Sequence, residues 1–468
     1  MKKTVILYDD SRKPDGMIRN ITGNKSFGET IYKRKSLRDK MAAIAAKQDM
    51  CAAFLDTEDD LTDKYAKNAV LKLYSDMPVR DEKAFGVLLE KATYAKECYR
   101  IVQDGEIAAV IFPDPDALHG ADGKGEEDYA AIETEAFLNL ARPGAFRQFI
   151  TGGFDARFFN ELSGDAYTVV KQSANVEKLH REFAFYGLLP DDMKMWFAMP
   201  FSYQAEEGMA SYTMERYHMT DLAIRYVHGA IGTEEFGRIM EKLFRFIASR
   251  HKKPVDEKEY DRCMQSLYVD KVAERLAMLK KAAAFPRIEA YLKTGTSYAG
   301  PDAVYEKYLK LYEKITKKHK FEHVLVIGHG DLCFSNILYS DETSFMKLID
   351  PKGAFTEEEL YTNPYYDLAK LSHSICGSYD YFNSDLFEVT IDDGMRLHLH
   401  VDSDNAAYTA IFKEYLDRYQ IDFDLIRLYE ASLFLSMLPL HIEREKKVLG
   451  FLLNAISILE DMQGRYGT

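Results

Sequence analysis

Cysteine is scarce in this 468-residue chain, and the five present (Cys51, Cys98, Cys263, Cys333 and Cys376) form no Cys-x-x-Cys pair. Scattered single thiols exclude a zinc ribbon or a disulfide framework and read as the reduced cysteines of a cytoplasmic protein. Long apolar runs are missing too: none approaches the roughly 18 residues that a membrane span needs. The opening MKKTVILYDD loses its apolar character at Asp9, so it reads as a strand and not as a signal peptide. Positive charge is in deficit, with 61 Lys and Arg against 75 Asp and Glu and a net charge of −14. A nucleic-acid backbone is therefore excluded as the expected partner, and any cations that hold a phosphate must be gathered locally. What remains, 47% hydrophobic and 29% charged residues, describes a globular protein long enough for two or three domains.

The stretch around which the rest is organised is residues 321–353, FEHVLVIGHGDLCFSNILYSDETSFMKLIDPKG. Two short apolar runs, 324–327 and 345–349, read as buried strands bounded by turn residues. Between and after them come His329, Gly330 and Asp331, then Asn336, then Asp350. Asp and Asn offer the oxygen ligands that Mg²⁺ prefers, and a phosphoryl-transfer site also needs a carboxylate to hold the acceptor hydroxyl. A polar turn between two core strands is the plain alternative for any one of these residues. For the ordered set it is the weaker account. The spacing His-x-Asp-x-x-x-x-Asn is that of a kinase catalytic loop, with Asp350-Pro351-Lys352-Gly353 standing where Asp-Phe-Gly is usual.

The His-Gly-Asp form followed by Asn-Ile-Leu resembles the aminoglycoside phosphotransferases and choline kinases. The likeness extends to Tyr365-Tyr366-Asp367-Leu368-Ala369-Lys370-Leu371, where such enzymes start a helix whose Asp orients the catalytic loop. Asp367 is equally well placed as a helix N-cap, and both roles are compatible. The wording of these motifs is similar to the branch fused to nucleotidyltransferase-like domains in bacterial capsule and surface-polysaccharide loci. The resemblance covers residues 146–465 and implies a bilobal, protein-kinase-like α+β fold. It also implies ATP- and Mg²⁺-dependent transfer of phosphate to a hydroxyl of a small polar metabolite. In that reading Asp331 is the base, Asn336 and Asp350 bind Mg²⁺, and His329 and Asp367 brace the loop.

Upstream, residues 146–150, 158–162 and 167–171 read as strand, Gly152-Gly153 turn, strand, tight turn, strand. In a kinase-like small lobe that first turn covers the phosphates and the third strand carries a lysine, here Lys171. Residues 173–175 can cap a helix whose apolar face is Val176, Leu179, Phe183 and Tyr186. Glu182 sits beside that face and is expected to pair with Lys171. Glu177 competes, but a first-turn Glu usually serves the helix dipole. Strand 211–214 then leads into Glu215-Arg216-Tyr217, where kinase-like folds meet the adenine edge.

The first 141 residues alternate strand (5–8, 52–55, 70–74, 107–112) with helix (37–46, 82–99), which predicts a three-layer α/β unit on a mostly parallel sheet. Ligands of such sheets lie at the carboxyl ends of strands, here Asp9-Asp10-Ser11-Arg12 and Ser75-Asp76-Met77-Pro78. The second end weakly resembles that of sugar nucleotidyltransferases, where the Asp helps to hold a metal. The glycine-rich triphosphate loop of that family is absent from DDSRKPDGMIRN, which implies a shortened relative that has lost nucleotidyl transfer. Residues 115–133 are expected to be a solvated acidic loop and 134–141 a helical connector.

The division expected is therefore 1–141, a small lobe with hinge at 142–218, and a mostly helical large lobe at 219–468. Within the latter, Tyr305, Tyr308 and Tyr312 at helical spacing are expected to be core and not a substrate cage. Residues 387–390 and 396–401 around Asp392-Asp393-Gly394 read as a hairpin. Three function classes follow from the sequence. They are a working small-molecule kinase, a bifunctional nucleotidyltransferase and kinase, and a silent nucleotide-binding scaffold. Intact Lys171, Asp331, Asn336 and Asp350 favour the first.

Overall fold

The computed structural model describes residues 2–118, 124–151, 160–165 and 167–467, and of 160–164 the backbone alone. Contacts divide the chain into Met1–Ala156 with His228–Ala230, and Arg157–Val227 with Ile231–Thr468. The first break thus falls after the helix Pro143–Ile150, past the boundary at 141 that the sequence favours.

The first unit is built on six strands: β1 (Thr4–Asp9), β2 (Cys51–Leu55), β3 (Ala69–Tyr74), β4 (Tyr99–Gln103), β5 (Glu106–Phe112) and β6 (Ala130–Glu133). They lie in the order β2-β1-β3-β5-β4-β6, and β5 alone runs against the others. A mostly parallel sheet is what the alternation predicted. Helices Leu37–Ala46 and Glu82–Thr93 press Met41, Ala45, Phe85, Leu88 and Leu89 onto one face. Each is started by a side-chain cap, Ser36 for the first and Asp81 for the second. The opposite face buries Leu7, Val70, Val110 and Phe112 under the short helix Pro115–Leu118 and the segment near Leu61, a thinner third layer than expected.

Four expectations fail in this unit. The helix read over 82–99 ends at Thr93, and Tyr99 begins a strand. Residues 130–133 are not loop but the strand that pairs in parallel with Tyr99–Gln103. Residues 134–141 are not a helix. Leu140 N reaches Asp76 O and Leu138 N reaches Pro78 O, while Thr134 N bonds to Val102 O. Residues 146–150 are helix, not strand: Pro143 opens it, and Phe146 and Ile150, one turn apart, are the buried pair.

The second unit begins with an antiparallel sheet, Asn160–Gly164, Thr168–Ser173, Met209–Glu215 and Pro200–Glu206 in spatial order. Helix α1 (Val176–Leu188) lies on it, burying Leu179 against Ala210 and Tyr212. Beyond the sheet the unit is largely helical. Pro301–Thr316, Phe423–Met437 and Glu445–Tyr466 supply most of one large apolar core, and Thr233–Ser249 contributes to a second. Tyr308 is wholly buried there, with Tyr305 and Tyr312 packed beside the same core. Two small three-stranded sheets sit among these helices. One joins Thr220–Asp221, Ile337–Ser340 and Phe345–Leu348; the other joins Lys252–Pro254, Val324–Ile327 and Tyr361–Thr362. The hairpin Phe387–Ile391 with Leu397–Val401 forms as read.

Candidate active site

Every polar residue of the 321–353 stretch hangs from those two small sheets. Val324–Ile327 ends at Gly328, the loop His329–Asn336 follows, and Ile337–Ser340 pairs back with Phe345–Leu348, which delivers Asp350. Gly330 is required twice over. Its φ is +79°, and a Cβ there would stand 2.6 Å from Lys352 Cβ.

Asp367 fixes the loop from beneath. Its carboxylate accepts from His329 N (3.0 Å) and Gly330 N (2.9 Å) and pairs with Arg250 Nη1 (3.2 Å). Asp367 does not cap its helix, since Tyr365 holds the N-cap position. With Asp367 wholly buried, a pair like this resists removal of either partner by about 3–5 kcal/mol. Arg250 has no motif around it, and no sequence signal marks it. His329, also wholly buried, donates from Nε2 to Ile349 O (2.9 Å) and accepts at Nδ1 from Asp331 N (3.2 Å). That pattern requires the neutral ring, and burial pulls its pKa down, against the pull of Asp367. His329 is therefore a spacer between the loop and the segment that delivers Asp350.

Asp331 stands at the turn with its side chain 43% exposed. Asn336 Nδ2 donates to Asp331 O (2.8 Å) and approaches Asp331 Oδ2 (3.3 Å), so the amide oxygen faces away from that carboxylate. Lys370 Nζ lies 2.8 Å from Asp331 Oδ1. Burial would raise the Asp331 pKa, but Lys370 outweighs it and holds the carboxyl below the usual range. Lys370 is a site residue that the sequence reading passed over. Its signal was available, three positions after Asp367 on the same helix.

Lys171 comes from the four-stranded antiparallel sheet. Its rung on Thr168–Ser173 faces Tyr212, and its ammonium lies 2.7 Å from Glu182 Oε2 and 2.7 Å from Asp350 Oδ1. Burial works against the cation, yet Asp350 and then Glu182 raise the Lys171 pKa. Glu182 is 4% exposed and Glu177 is exposed, so it is Glu182 that reaches the lysine. The helix gets its phase from Asn175, whose side chain accepts from Lys178 N. The buried stripe is then Leu179, Glu182 and Phe185, one step round from the face read off the sequence. Gly353 locks this helix to Asp350. With φ at +85°, its Cα comes so close that a Cβ would lie 2.6 Å from the Arg181 carbonyl carbon, and Ala354 N bonds to Arg181 O (3.1 Å).

Glu215 ends its strand opposite Thr168, three residues along from the Lys171 rung, or about 10 Å at strand rise. Tyr217 follows, and burial and then Glu215 push its phenol up to about 12. Gly152 and Gly153 lie outside the described residues. The structure thus gathers Lys171, Glu182, Asp350, His329, Asp331, Asn336 and Asp367 in one place, with Glu215 and Tyr217 down the strand.

No cluster of three or more His, Cys, Asp or Glu suited to a metal occurs among the described residues. Mg²⁺ fits such a site better than zinc or calcium does, because it binds through one or two protein oxygens and completes its shell with water and substrate phosphates. Asp350 and the Asn336 amide oxygen are the donors on hand. No described helix is long and apolar enough to cross a membrane.

The strand ends of the first unit are closed off by their own partners. Asp76 is 3.2 Å from Arg12 Nη1, which also donates to Ile107 O (2.8 Å) and lies over the Tyr74 ring. Burial raises the Asp76 pKa although Arg12 opposes it. Asp9 pairs with Lys72 (3.1 Å), and Asp10 accepts from Ser26 and from Gly28 N.

No family model matches the sequence, and no curated protein matches it either. Solved structures to which the chain is similar include a thermostable mutant of aminoglycoside phosphotransferase APH(4)-Ia, with 10% identity and a TM-score of 0.37, covering 64% of this chain and 88% of that one. Another is APH(3'')-Id of Streptomyces rimosus, solved with ADP and streptomycin, with 15% identity, a TM-score of 0.35, and 59% and 88% coverage. A third, a fructosamine-3-kinase of Haemophilus somnus described as putative, gives 10% identity, a TM-score of 0.38, and 65% and 90% coverage. At such values the site geometry, and not the likeness, carries the functional reading.

Proposed function

We propose that the second unit is an ATP- and Mg²⁺-dependent phosphotransferase acting on a hydroxyl of a small polar metabolite. The observation that carries this is the Lys171 ammonium held between Glu182 and Asp350, beside the loop that presents Asp331 and Asn336. Phosphoryl transfer passes through a loose transition state, so catalysis is mostly positioning and charge neutralisation. Lys171, aimed by Glu182, holds the α- and β-phosphates. Asp350 and Asn336 would hold Mg²⁺, which would supply neutralisation of the charge on the phosphate oxygens. Glu215 to Tyr217 supply the adenine edge. Asp331 takes the hydrogen bond of the acceptor hydroxyl and, as the new P–O bond forms and the β–γ bridge breaks, receives its proton while ADP leaves. His329 and Asp367 keep the loop in place.

The first unit, in this proposal, has lost nucleotidyl transfer: Asp76 is buried on Arg12 and not offered to a metal. The setting is that of the motif wording, surface-polysaccharide precursor metabolism in the cytoplasm.

The test is ADP release by the full-length protein against pools of small alcohols. Asp331→Asn is expected to leave MgATP affinity within a few-fold and lower turnover by orders of magnitude. Turnover that survives the substitution would remove Asp331 from the centre of the mechanism.

A further inference from the structure

Three consecutive residues of helix α1 point three ways, because each step along an α-helix turns by about 100°. Glu182 faces inward, with Oε2 2.7 Å from the Lys171 ammonium. Arg181 faces the segment that follows Asp350, where its Nη2 lies 2.9 Å from Glu359 Oε2. His180 is stacked on Tyr203, with ring centroids 4.8 Å apart, and is met edge-on by Phe355 at 5.0 Å. The apolar cluster beneath this turn is small. Leu179, Ala210 and Tyr212 are its buried members, and Phe185 already belongs to a larger core. Burial stabilises in proportion to area, so a cluster of this size does little to fix the rotation of the helix.

The outer side supplies what the cluster lacks. Phe355 N donates to Glu359 Oε2 (2.8 Å), the same oxygen that receives Arg181. The Arg181 guanidinium also lies over the Phe355 ring, 4.8 Å from its centre. One carboxylate thus closes the turn 355–359 and holds the helix against it. The foot of that turn is firm. Leu360 is buried, and its carbonyl accepts from Gly328 N (3.1 Å), one residue before His329. Tyr361–Thr362 then pairs with Val326–Ile327. Contacts therefore run from the strand that carries the Asp331 loop, through Glu359 and Arg181, to Glu182 and Lys171. Lys171 closes the circuit on Asp350, 2.7 Å away.

The outer pair is not there for global stability. The Arg181 side chain is 26% exposed and that of Glu359 41%, and an ion pair at such exposure stabilises a fold little. What the pair does fix is direction. A helix free to turn by one step would carry Glu182 away from Lys171 and leave the ammonium to Asp350 alone.

We infer that Arg181, Phe355 and Glu359 are positioning residues for nucleotide binding: their clamp sets the rotation of helix α1 and so keeps Glu182 on Lys171. This rests on the phosphotransferase reading above and assigns residues that no motif in the chain marks.

The test uses the full-length protein with Arg181→Met, which keeps the apolar stem and loses the guanidinium, and Glu359→Gln, which keeps an acceptor for Phe355 N and loses the charge. Calorimetry with a non-hydrolysable ATP analogue and Mg²⁺ should show binding weakened about fivefold in each. Arg181→Lys should retain most of the affinity. The double variant should bind no more weakly than the weaker single one, because both substitutions remove one pair. Denaturant midpoints should stay close to wild type, while amide hydrogen exchange over 176–188, followed without nucleotide, quickens in Arg181→Met. Unchanged binding of the analogue by both single variants overturns the inference. So does a loss of binding matched by a fall in the unfolding midpoint, which is the mark of a merely structural role. Weakened binding with unquickened exchange overturns it too, since the helix would not have moved. Should Arg181→Met fail to fold, Glu359→Gln decides by the same measurements. Failure of the wild-type protein to bind the analogue would count against the phosphotransferase reading itself, and the exchange comparison, which needs no nucleotide, would still decide whether the clamp holds the helix.

Discussion

At the scale of single residues, the site is a set of charges whose values depend on one another. Lys370 keeps Asp331 ionised well into acid, so the carboxylate is a weak base suited to a late proton transfer. In the proposed mechanism the ionised form is the working one, and it exists above the Asp331 pKa. The acid limb of kcat/KM therefore lies below the usual carboxylate range in the wild-type protein. Lys370→Met removes the lowering influence and leaves burial, which raises the pKa, so the limb should move to higher pH. A profile of kcat/KM carried down to about pH 3 for both proteins checks this, with the Lys370→Met limb expected at the higher pH; an unmoved limb counts against Asp331 as the base. The two proposed metal ligands should separate as well. Asp350 brings a full charge and Asn336 only a dipole, so Asp350→Ala should weaken Mg²⁺-dependent ATP binding more than Asn336→Ala does. Calorimetry with ATP, with and without Mg²⁺, gives the order, and equal losses would count against the assignment.

At the scale of elements, the proposed catalytic groups belong to pieces of chain that are also fixed through their backbone. The loop His329–Asn336 is carried by two short strands, fixed by amide bonds to Asp367, and that carboxylate is in turn held by Arg250. Helix α1 is tied to the Asp350 segment through Gly353, where the atoms a Cβ would meet, at 2.6 and 2.7 Å, are backbone carbon and nitrogen of Arg181 and Glu182. These cannot swing aside as a flexible side chain would. Gly353→Ala should therefore cost about 1–3 kcal/mol and shift Glu182 off Lys171. The expected result is a lower denaturant midpoint in chemical unfolding, together with weaker MgATP binding by calorimetry. Retention of both would show that the helix can back away freely.

At the scale of the whole molecule, the two units differ in what their strand ends do. In the second they deliver Lys171 and Asp350 to one cleft. In the first they are satisfied internally, Asp76 by Arg12 and Asp9 by Lys72. A triphosphate needs backbone amides brought close to it, and the turn DDSRKPDGMIRN has a single glycine with which to do so. The full-length protein is accordingly expected to release no pyrophosphate from CTP or UTP. Release that Asp76→Ala abolishes would overturn this and promote a bifunctional enzyme.

What the sequence determined by itself was whatever short-range chemistry marks. Short continuous apolar runs bounded by turn residues placed the strands Val324–Ile327 and Ala69–Tyr74, since a strand buried on both faces carries apolar residues at successive positions. The fixed spacing of His329, Asp331, Asn336 and Asp350 was legible because one loop and one strand end carry them all. Glu182 was legible too, since the lysine's partner had to sit on the inner side of a helix that follows it directly. The tertiary structure decided the rest. Residues 146–150 are apolar in a way that fits strand or helix, and only Phe146 and Ile150 burying together chose the helix. Strand Ala130–Glu133 is largely exposed and has no pattern of its own; it exists because Tyr99–Gln103 offers an open edge. Arg250 reaches Asp367 across 117 residues, and Lys271 meets Tyr366 across 95. No local signal marks such partners, because a buried charge is satisfied by whatever the fold brings near it, not by its neighbours in the chain.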